Sequence, residues 1–518
     1  MTLAIIIGYL AAVLVIGLFS HRFFRGTSED FFVAARTLGP VILLVSLFGA
    51  HMTAFALLGA SAEAYGEGIG VFALMASSSG FIAPVIFYFV GTRVWALGKR
   101  RGYLTPVQLF RERWGSDSLG LLLFVLQVGL LIPYLLIGVM GGGITLTQIT
   151  GGQVSDWVGG LVICAVVLTY VTYGGMRGTI WVNLFQTVVL LTLGGIAFSV
   201  VVSKLGGITA AMNRVAEARP DLLVRGDHIT PWKLLTYMFI PLSVGMFPHM
   251  FLHWLTARRA SAFRLTLPFY PICMILVWVP SVVLGVLAHL DFPDLQGPAA
   301  NAVLVKMIDL YAPGVLAGLL AAGVFAAIMN SFDSQVLAVG TMFTQDIVRH
   351  YGFKDRMSER KQILVGRIFM VAVLVATYAL SRVVDRSIFK LGVWCFSGYA
   401  ALFPVLVAAL FWKRSTKVGA AAATLSVAVT WIFFIVRGWS EADYTLGGTG
   451  ILPVAPMVLV SVAALVIGSL LSKAPEAERL AIFFPEKAPG GMKKDSGGAG
   501  DLIDVPVTYR KVGRKGGA

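Results

Sequence analysis

The stretch FAAIMNSFDSQVLAVG, residues 325–340, puts Asn330, Ser331, Asp333, Ser334 and Gln335 within six positions of an otherwise apolar run. Hydrocarbon offers such groups no partner, so polar side chains at membrane depth mark either a functional path or a helix contact. Successive helical residues turn by about 100°. Ala327, Asn330, Ser331 and Ser334 therefore share an arc of about 100° and form one stripe. Asp333 falls to one side of it and Gln335 to the other. Neutral oxygens on Asn330 and Ser331 suit a hard cation or a hydrogen-bonding partner. The carboxylate of Asp333 needs a partner, a proton or water. Interhelical hydrogen bonding without transport is the alternative reading of the same stripe.

Outward from this stretch the chain is built of similar apolar runs. Of 518 residues, 57% are hydrophobic and 13% charged, against about 25% charged in soluble domains. The mean hydropathy is +0.83. Apolar runs near 20 residues long predict a polytopic all-α membrane protein, and the short alternating segments of a β-barrel do not dominate. Thirteen spans are expected, near 2–21, 38–64, 70–96, 118–148, 155–174, 179–204, 233–257, 267–290, 313–342, 362–383, 387–412, 417–437 and 451–472. Three cysteines, Cys164, Cys273 and Cys395, sit in separate runs and read as small buried hydrophobes.

The net charge of +15 does not point to nucleic acid. Its basic residues cluster between spans and at the C-terminal end, as the positive-inside rule expects. KRRGYLTPVQLFRERW, RRASAFR, RHYGFKDRMSERK and KRSTK are basic and read as cytoplasmic; YGEG, TGGQVSD, DFPDLQGPAA and GWSEADYTLGG read as outer. The mixed loop 204–233 reads as an outer cap with short helices. The first run has no basic residues before it, which predicts a retained first helix, an external N-terminus and a cytoplasmic C-terminus in the plasma (inner) membrane. Residues 473–518, rich in Gly, Pro and Lys, read as a disordered basic tail.

Two more spans carry unusual polar or breaking residues. The second, VSLFGAHMTAFALLGASAEAYGEGIG, holds Gly49, His51, Thr53, Gly59, Ser61 and Glu63. Small residues in mid-span allow either close packing or a broken helix whose freed carbonyls can hold a cation. In the seventh, SVGMFPHMFLHW, Pro248 interrupts the ladder. His249 and His253 share a face there, and without further ligands nearby they read as packing or cavity-lining residues.

Three motifs together resemble the sodium:solute symporters, carriers of proline, pantothenate, monocarboxylates and glucose. SEDFFVAARTLGP (28–40) looks like the family's signature before the second span. YGGMRGTIWVNLFQ (173–186) is similar to its Gly-Gly…Trp-Thr-Asp…Gln pattern, and AAIMNSFDSQVLAVGTMFTQDI (326–347) to its Ala-Ala-Ile-x-Ser-Ser-x-x-Ser stretch. The resemblance spans roughly residues 1–470. It implies a LeuT-like inverted repeat of five plus five helices, about 38–204 and 233–412, within one transporter domain (1–472). It also implies a sodium site made by the carbonyls of Gly49, Met52 and Ala327 with the side chains of Asn330 and Ser331. Asn330 stands where the family has a small hydroxyl residue, and Asn183 where it has an aspartate tied to sodium coupling. Asp333 is the alternative coupling group.

With the resemblance as frame, the substrate cavity is expected between His51 and Phe55, Ser77 and Ser78, Met246, Phe247 and Pro248, and Trp394 and Ser397. The implied function is sodium-coupled symport of a small organic solute (a carboxylate, amino acid or sugar) into the cell. Proton coupling and a transporter-like sensor are the alternatives. The sequence has no GxxxxGK[ST] nucleotide motif and no assembled nucleophile, base and orienting group. The partners expected are the solute, sodium ion and the lipid bilayer, with no nucleic acid.

Overall fold

Helices account for every regular element among the described residues, which in this computed structural model are 2–23, 28–226, 229–312, 314–353, 358–384, 386–439, 441 and 444–485. The elements used below are α1 (Thr2–Phe19), the bent pair α2 (Pro40–His51) and α3 (Phe55–Gly70), α4 (Ala73–Arg101), α5 (Pro106–Trp114), α6 (Asp117–Ile149) and α7 (Asp156–Lys204). A second bent pair follows, α8 (Pro231–Gly245) and α9 (Pro248–Leu255), then α10 (Thr266–Leu287), α11 (Gly314–Met342), α12 (Glu359–Ser381), α13 (Ile388–Phe411), α14 (Lys417–Gly438), α15 (Val454–Leu470) and α16 (Ala477–Phe483). Proline opens α2, α5, α8 and α9, where its missing N–H costs nothing and its fixed φ favours a first turn.

Nine helices among the described residues are long and apolar enough to cross a bilayer, eleven if each bent pair is one span. Thirteen is reached only by dividing α7 and admitting α15, which has 17 residues. The division of α7 has a physical basis. Its 49 residues would be about 74 Å long if straight, more than twice a hydrocarbon core of about 30 Å. The backbone leaves helical geometry at Gly175, with φ +52°. A Cβ placed on Gly178 would lie 3.5 Å from the Tyr170 carbonyl, although eight residues of straight helix separate two groups by about 12 Å. The chain therefore doubles back, and α7 is a hairpin of two helices.

Burial sorts the helices by depth. Every residue from Leu320 to Met342 of α11 is buried, the polar stretch included. It is the central column, packed by α1, α2, α6, α7, α9 and α12. On α14, by contrast, Val429, Ile432, Phe433 and Val436 are exposed, the lipid-facing stripe of a peripheral span.

The two bent pairs turn by 61° and 51° at their breaks. Their far ends are tied by a backbone bridge: Leu38 N–H donates to the Thr256 carbonyl at 3.0 Å, and Arg258 N–H to the Leu38 carbonyl at 2.9 Å. Just before Leu38, residues Ala34, Ala35 and Arg36 are left-handed, with φ of 49°, 51° and 56°, costing about 1–2 kcal/mol each for side-chain-bearing residues. Arg36 holds the strained turn by donating to the carbonyls of Leu255 (3.3 Å) and Tyr103 (3.0 Å).

One expectation needs correction. The segment after 473 is not without structure throughout, because α16 docks on α5. Phe483 is buried, and the fully buried Arg113 guanidinium lies 5.7 Å and 5.4 Å from the Phe483 and Phe484 rings. Two aromatic rings beside a captive cation hold this mostly apolar helix in place. Residues 486–518 of the expected tail lie outside the described residues.

Candidate functional site

The break after α2 comes first. The helical ladder ends where Met52 N–H reaches the Phe48 carbonyl at 2.9 Å. Met52 is extended (φ −76°, ψ 124°), and the Thr53 hydroxyl then accepts from Phe55 N–H at 2.9 Å to start the next element. The carbonyls from Gly49 to His51 have no donor further along α2, the usual condition of a helix end. Gly49 lies against α11 and α7. A Cβ there would sit 2.8 Å from both Asn330 amide atoms and 2.6 Å from Thr187 Oγ1. The missing side chain is what lets the Asn330 amide meet the end of α2. Asn330 also donates to Thr187 Oγ1 at 3.0 Å. Ala327, Asn330 and Ser331 are all buried. Freed carbonyls beside neutral side-chain oxygens form a donor set that fits Na⁺.

One turn on, α11 carries a second polar group. Tyr170 donates to Asp333 Oδ2 at 2.9 Å, and Ser334 donates to Asp333 Oδ1 at 3.0 Å. The Asn183 amide is best satisfied with its nitrogen 3.0 Å from Asp333 Oδ2 and 2.9 Å from Asn330 Oδ1. Ser334 Oγ also lies 3.1 Å from His253 Nε2, whose Nδ1 is 2.9 Å from Ser46 Oγ. One assignment satisfies the chain: Ser46 donates to Nδ1, Nε2–H donates to Ser334, and Ser334 donates to the carboxylate. Every donor then converges on Asp333. Its carboxylate is fully buried and has no Lys or Arg within ion-pair distance among the described residues. Its charge is met by hydrogen bonds alone unless a cation or proton joins it.

The stripe therefore differs from its expected aspect. Only its Asn330 end faces α2; its Ser334 end faces α7 and α9. Tyr170, Thr187, Ser46 and His253 complete the group and were not among the expected site residues. Thr179, Asn183, Gln186 and Thr187 share a helix face at i, i+4, i+7 and i+8 spacing, a polar stripe legible in the sequence that would have pointed to Thr187. Tyr170 carries no such signal.

Of the expected substrate residues, His51, Phe55 and Phe247 join one aromatic cluster. His51 Nδ1 hydrogen-bonds the Tyr270 hydroxyl, and the rings stack at 6.0 Å. Phe247 lies 6.3 Å from His51 and 5.1 Å from Tyr134. Phe55 stacks on Phe389 at 5.0 Å and meets Phe396 edge-on at 5.0 Å. Met246 and Pro248 flank Phe247 at the second break and are buried. Ser78 donates to the Leu74 carbonyl within its own helix, and the Ser77 side chain lies outside the described residues. Trp394 is turned away from His51: it stacks on Tyr444 at 6.0 Å and packs on Gly438. With Ser397, Phe389, Tyr237, Lys233 and Lys390 it lines a small cavity bounded by the same Phe389 ring that stacks on Phe55.

Comparison with known proteins places this geometry. A sequence model of the sodium:solute symporter family matches residues 31–426. The osmoregulated proline transporter OpuE of Bacillus subtilis is 23% identical, over 92% of this chain and 96% of its own. The high-affinity proline transporter PutP of the same organism is 23% identical, over 89% and 96%. Among solved structures, a Na⁺-coupled sialic acid symporter in a substrate-bound outward-open state superposes with a TM-score of 0.75 at 17% identity, covering 91% of this chain and 98% of that one. Mhp1, a nucleobase-cation-symport-1 family transporter in a closed conformation, superposes at 0.58 and 12% identity, covering 88% and 97%. These two likenesses establish the fold. With three quarters of its length matched by the family model, the chain belongs to the sodium:solute symporter family, and is a multi-pass membrane transporter, not an enzyme.

Proposed function

We propose that this transporter couples inward Na⁺ movement to uptake of a small zwitterion of the proline type. The observation that carries the reading is the contact of Asn330 with the side-chain-free Gly49 at the broken end of α2. The carbonyls of Gly49, Met52 and Ala327 with the side chains of Asn330 and Ser331 would hold the ion. A cation there ties α2 to α11 and favours one arrangement of the two breaks, which is how an ion biases a two-state carrier. His51, Phe55, Met246, Phe247 and Pro248 would line the solute site between the breaks, with proline as first candidate because the relatives above carry it. The repeats would be 38–204 and 233–412, with the N-terminus outside and the C-terminus cytoplasmic.

A second reading assigns coupling to Asp333, which would carry a proton between Tyr170, Asn183 and Ser334. The fully buried, donor-surrounded carboxylate favours it. Proteoliposomes separate the two. Labelled L-proline uptake should follow an imposed Na⁺ gradient and stop when choline replaces Na⁺. Uptake that survives without Na⁺ and collapses with a protonophore would transfer the role to Asp333.

A further inference from the structure

Three basic residues at the Arg-rich end of the bundle are paired with carboxylates. Arg101 bonds Glu112, Arg111 lies 3.5 Å from Asp117, and Arg177 lies 2.7 Å from Asp30. Five others without a carboxylate partner lie in two adjoining segments. Lys99 and Arg100 end α4, and Arg258, Arg259 and Arg264 occupy the turn from α9 to α10. All five are exposed, and among the described residues none has a carboxylate within ion-pair distance. The two segments are neighbours: Trp95 Nε1 donates to the Ala257 carbonyl at 2.7 Å, and Phe263 packs beside Gly91. Like charges repel, so a crowd of five without counter-ions needs a reason.

The surface below the cations supplies one. On α4, Phe81, Val85 and Phe89 are exposed at four-residue spacing, one straight stripe running toward Lys99 and Arg100. On α10, Phe269, Ile272 and Ile275 are exposed and follow Arg264 along the chain. α4 and α10 pack side by side. Two packed helices thus each carry exposed apolar residues, and the cations lie at the same end of both. A positive-inside bias explains charge on this side, but not its gathering, unpaired, above these exposed apolar residues.

We infer that this surface binds an anionic glycerophospholipid, its phosphodiester among Lys99, Arg100, Arg258, Arg259 and Arg264 and its acyl chains along the exposed apolar residues of α4 and α10. The occupant is a lipid rather than a soluble phosphate because the exposed apolar residues match acyl chains. The site adjoins the Leu38–Ala257 bridge that ties both bent pairs, so the lipid bears on the part of the bundle that joins them. The inference needs only the membrane setting and stands apart from the choice of solute or ion.

The test uses the full chain in nanodiscs of phosphatidylcholine, alone or mixed with phosphatidylglycerol. Tm and the phosphatidylglycerol retained in native mass spectra are the readouts. Wild type should melt higher with phosphatidylglycerol and retain it. The triple variant R258Q/R259Q/R264Q should lose both effects, its relative phosphatidylglycerol affinity falling about a hundredfold, roughly fivefold per cation removed. The Lys triple at the same positions should keep them, and so should R360Q/K361Q, which removes two exposed charges elsewhere. Should the Gln triple not fold, the single variants K99Q and R264Q carry the test, at about fivefold each. Phosphatidylglycerol binding that is unchanged in these variants overturns the site. Inorganic phosphate reproducing the Tm rise in pure phosphatidylcholine discs overturns the lipid as its occupant.

Discussion

Gly49 shows what a single hydrogen atom in place of a methyl can permit. A methyl group there would overlap Asn330 and Thr187, and α11 and the α7 hairpin are too tightly packed to move aside. Gly49→Ala should therefore weaken Na⁺ activation of uptake by about tenfold or more, about 1.4 kcal/mol, measured as the Na⁺ concentration for half-maximal rate. Asn330→Ser restores the small hydroxyl of the family pattern and should preserve or strengthen Na⁺ dependence. If it leaves Na⁺ affinity untouched while Asp333→Asn abolishes transport, Asp333 is the coupling group. Tyr170→Phe removes one charge-assisted hydrogen bond from Asp333 and should cost about 1.5–3 kcal/mol, read as a lower Tm in detergent. Asn330 and Ser331 were legible as polar letters in an apolar run. Their partners were not, since Tyr170 and Ser46 reach the group from other helices, and helical periodicity carries no information about which faces meet.

At the scale of elements, the breaks and the hairpin decide the architecture. Pro248 and the small residues of the second span announced both bent pairs, because proline and glycine act on the local backbone. The hairpin within α7 was legible as two apolar runs around YGGMRG, although its helical hydrogen bonding continues almost unbroken. Gly175 makes the reversal possible: its φ is positive, and a Cβ would lie 2.6 Å from the Phe31 carbonyl. Gly175→Ala should destabilise the fold by at least the 1–2 kcal/mol of left-handed strain, measured by the Tm of purified protein, and reduce expression accordingly. The α16 helix is hidden in the sequence because the composition of 473–518 is dominated by the Gly-, Pro- and Lys-rich stretch beyond it, although AERLAIF itself is mostly apolar. What holds it is Arg113, more than three hundred residues earlier. Truncation before 477 should uncover Arg113 and lower Tm, whereas removal of residues 486–518 should leave it unchanged.

For the whole molecule, the depth order of the helices does not follow from hydropathy alone: α11 and α14 are equally apolar, yet α11 is buried on all sides and α14 on one, and what marks α11 is its polar stretch. The bridge between Leu38 and the Thr256–Arg258 segment has a mechanical meaning at this scale. It links the starting end of one bent helix to the finishing end of the other, as a tie rod links two levers. Two levers joined in this way have one degree of freedom, not two. Reporters placed on α3 and α8 should then relax with one shared rate constant after a jump in Na⁺ concentration, and proline in place of Leu38, which removes one strut of the rod, should split that rate into two.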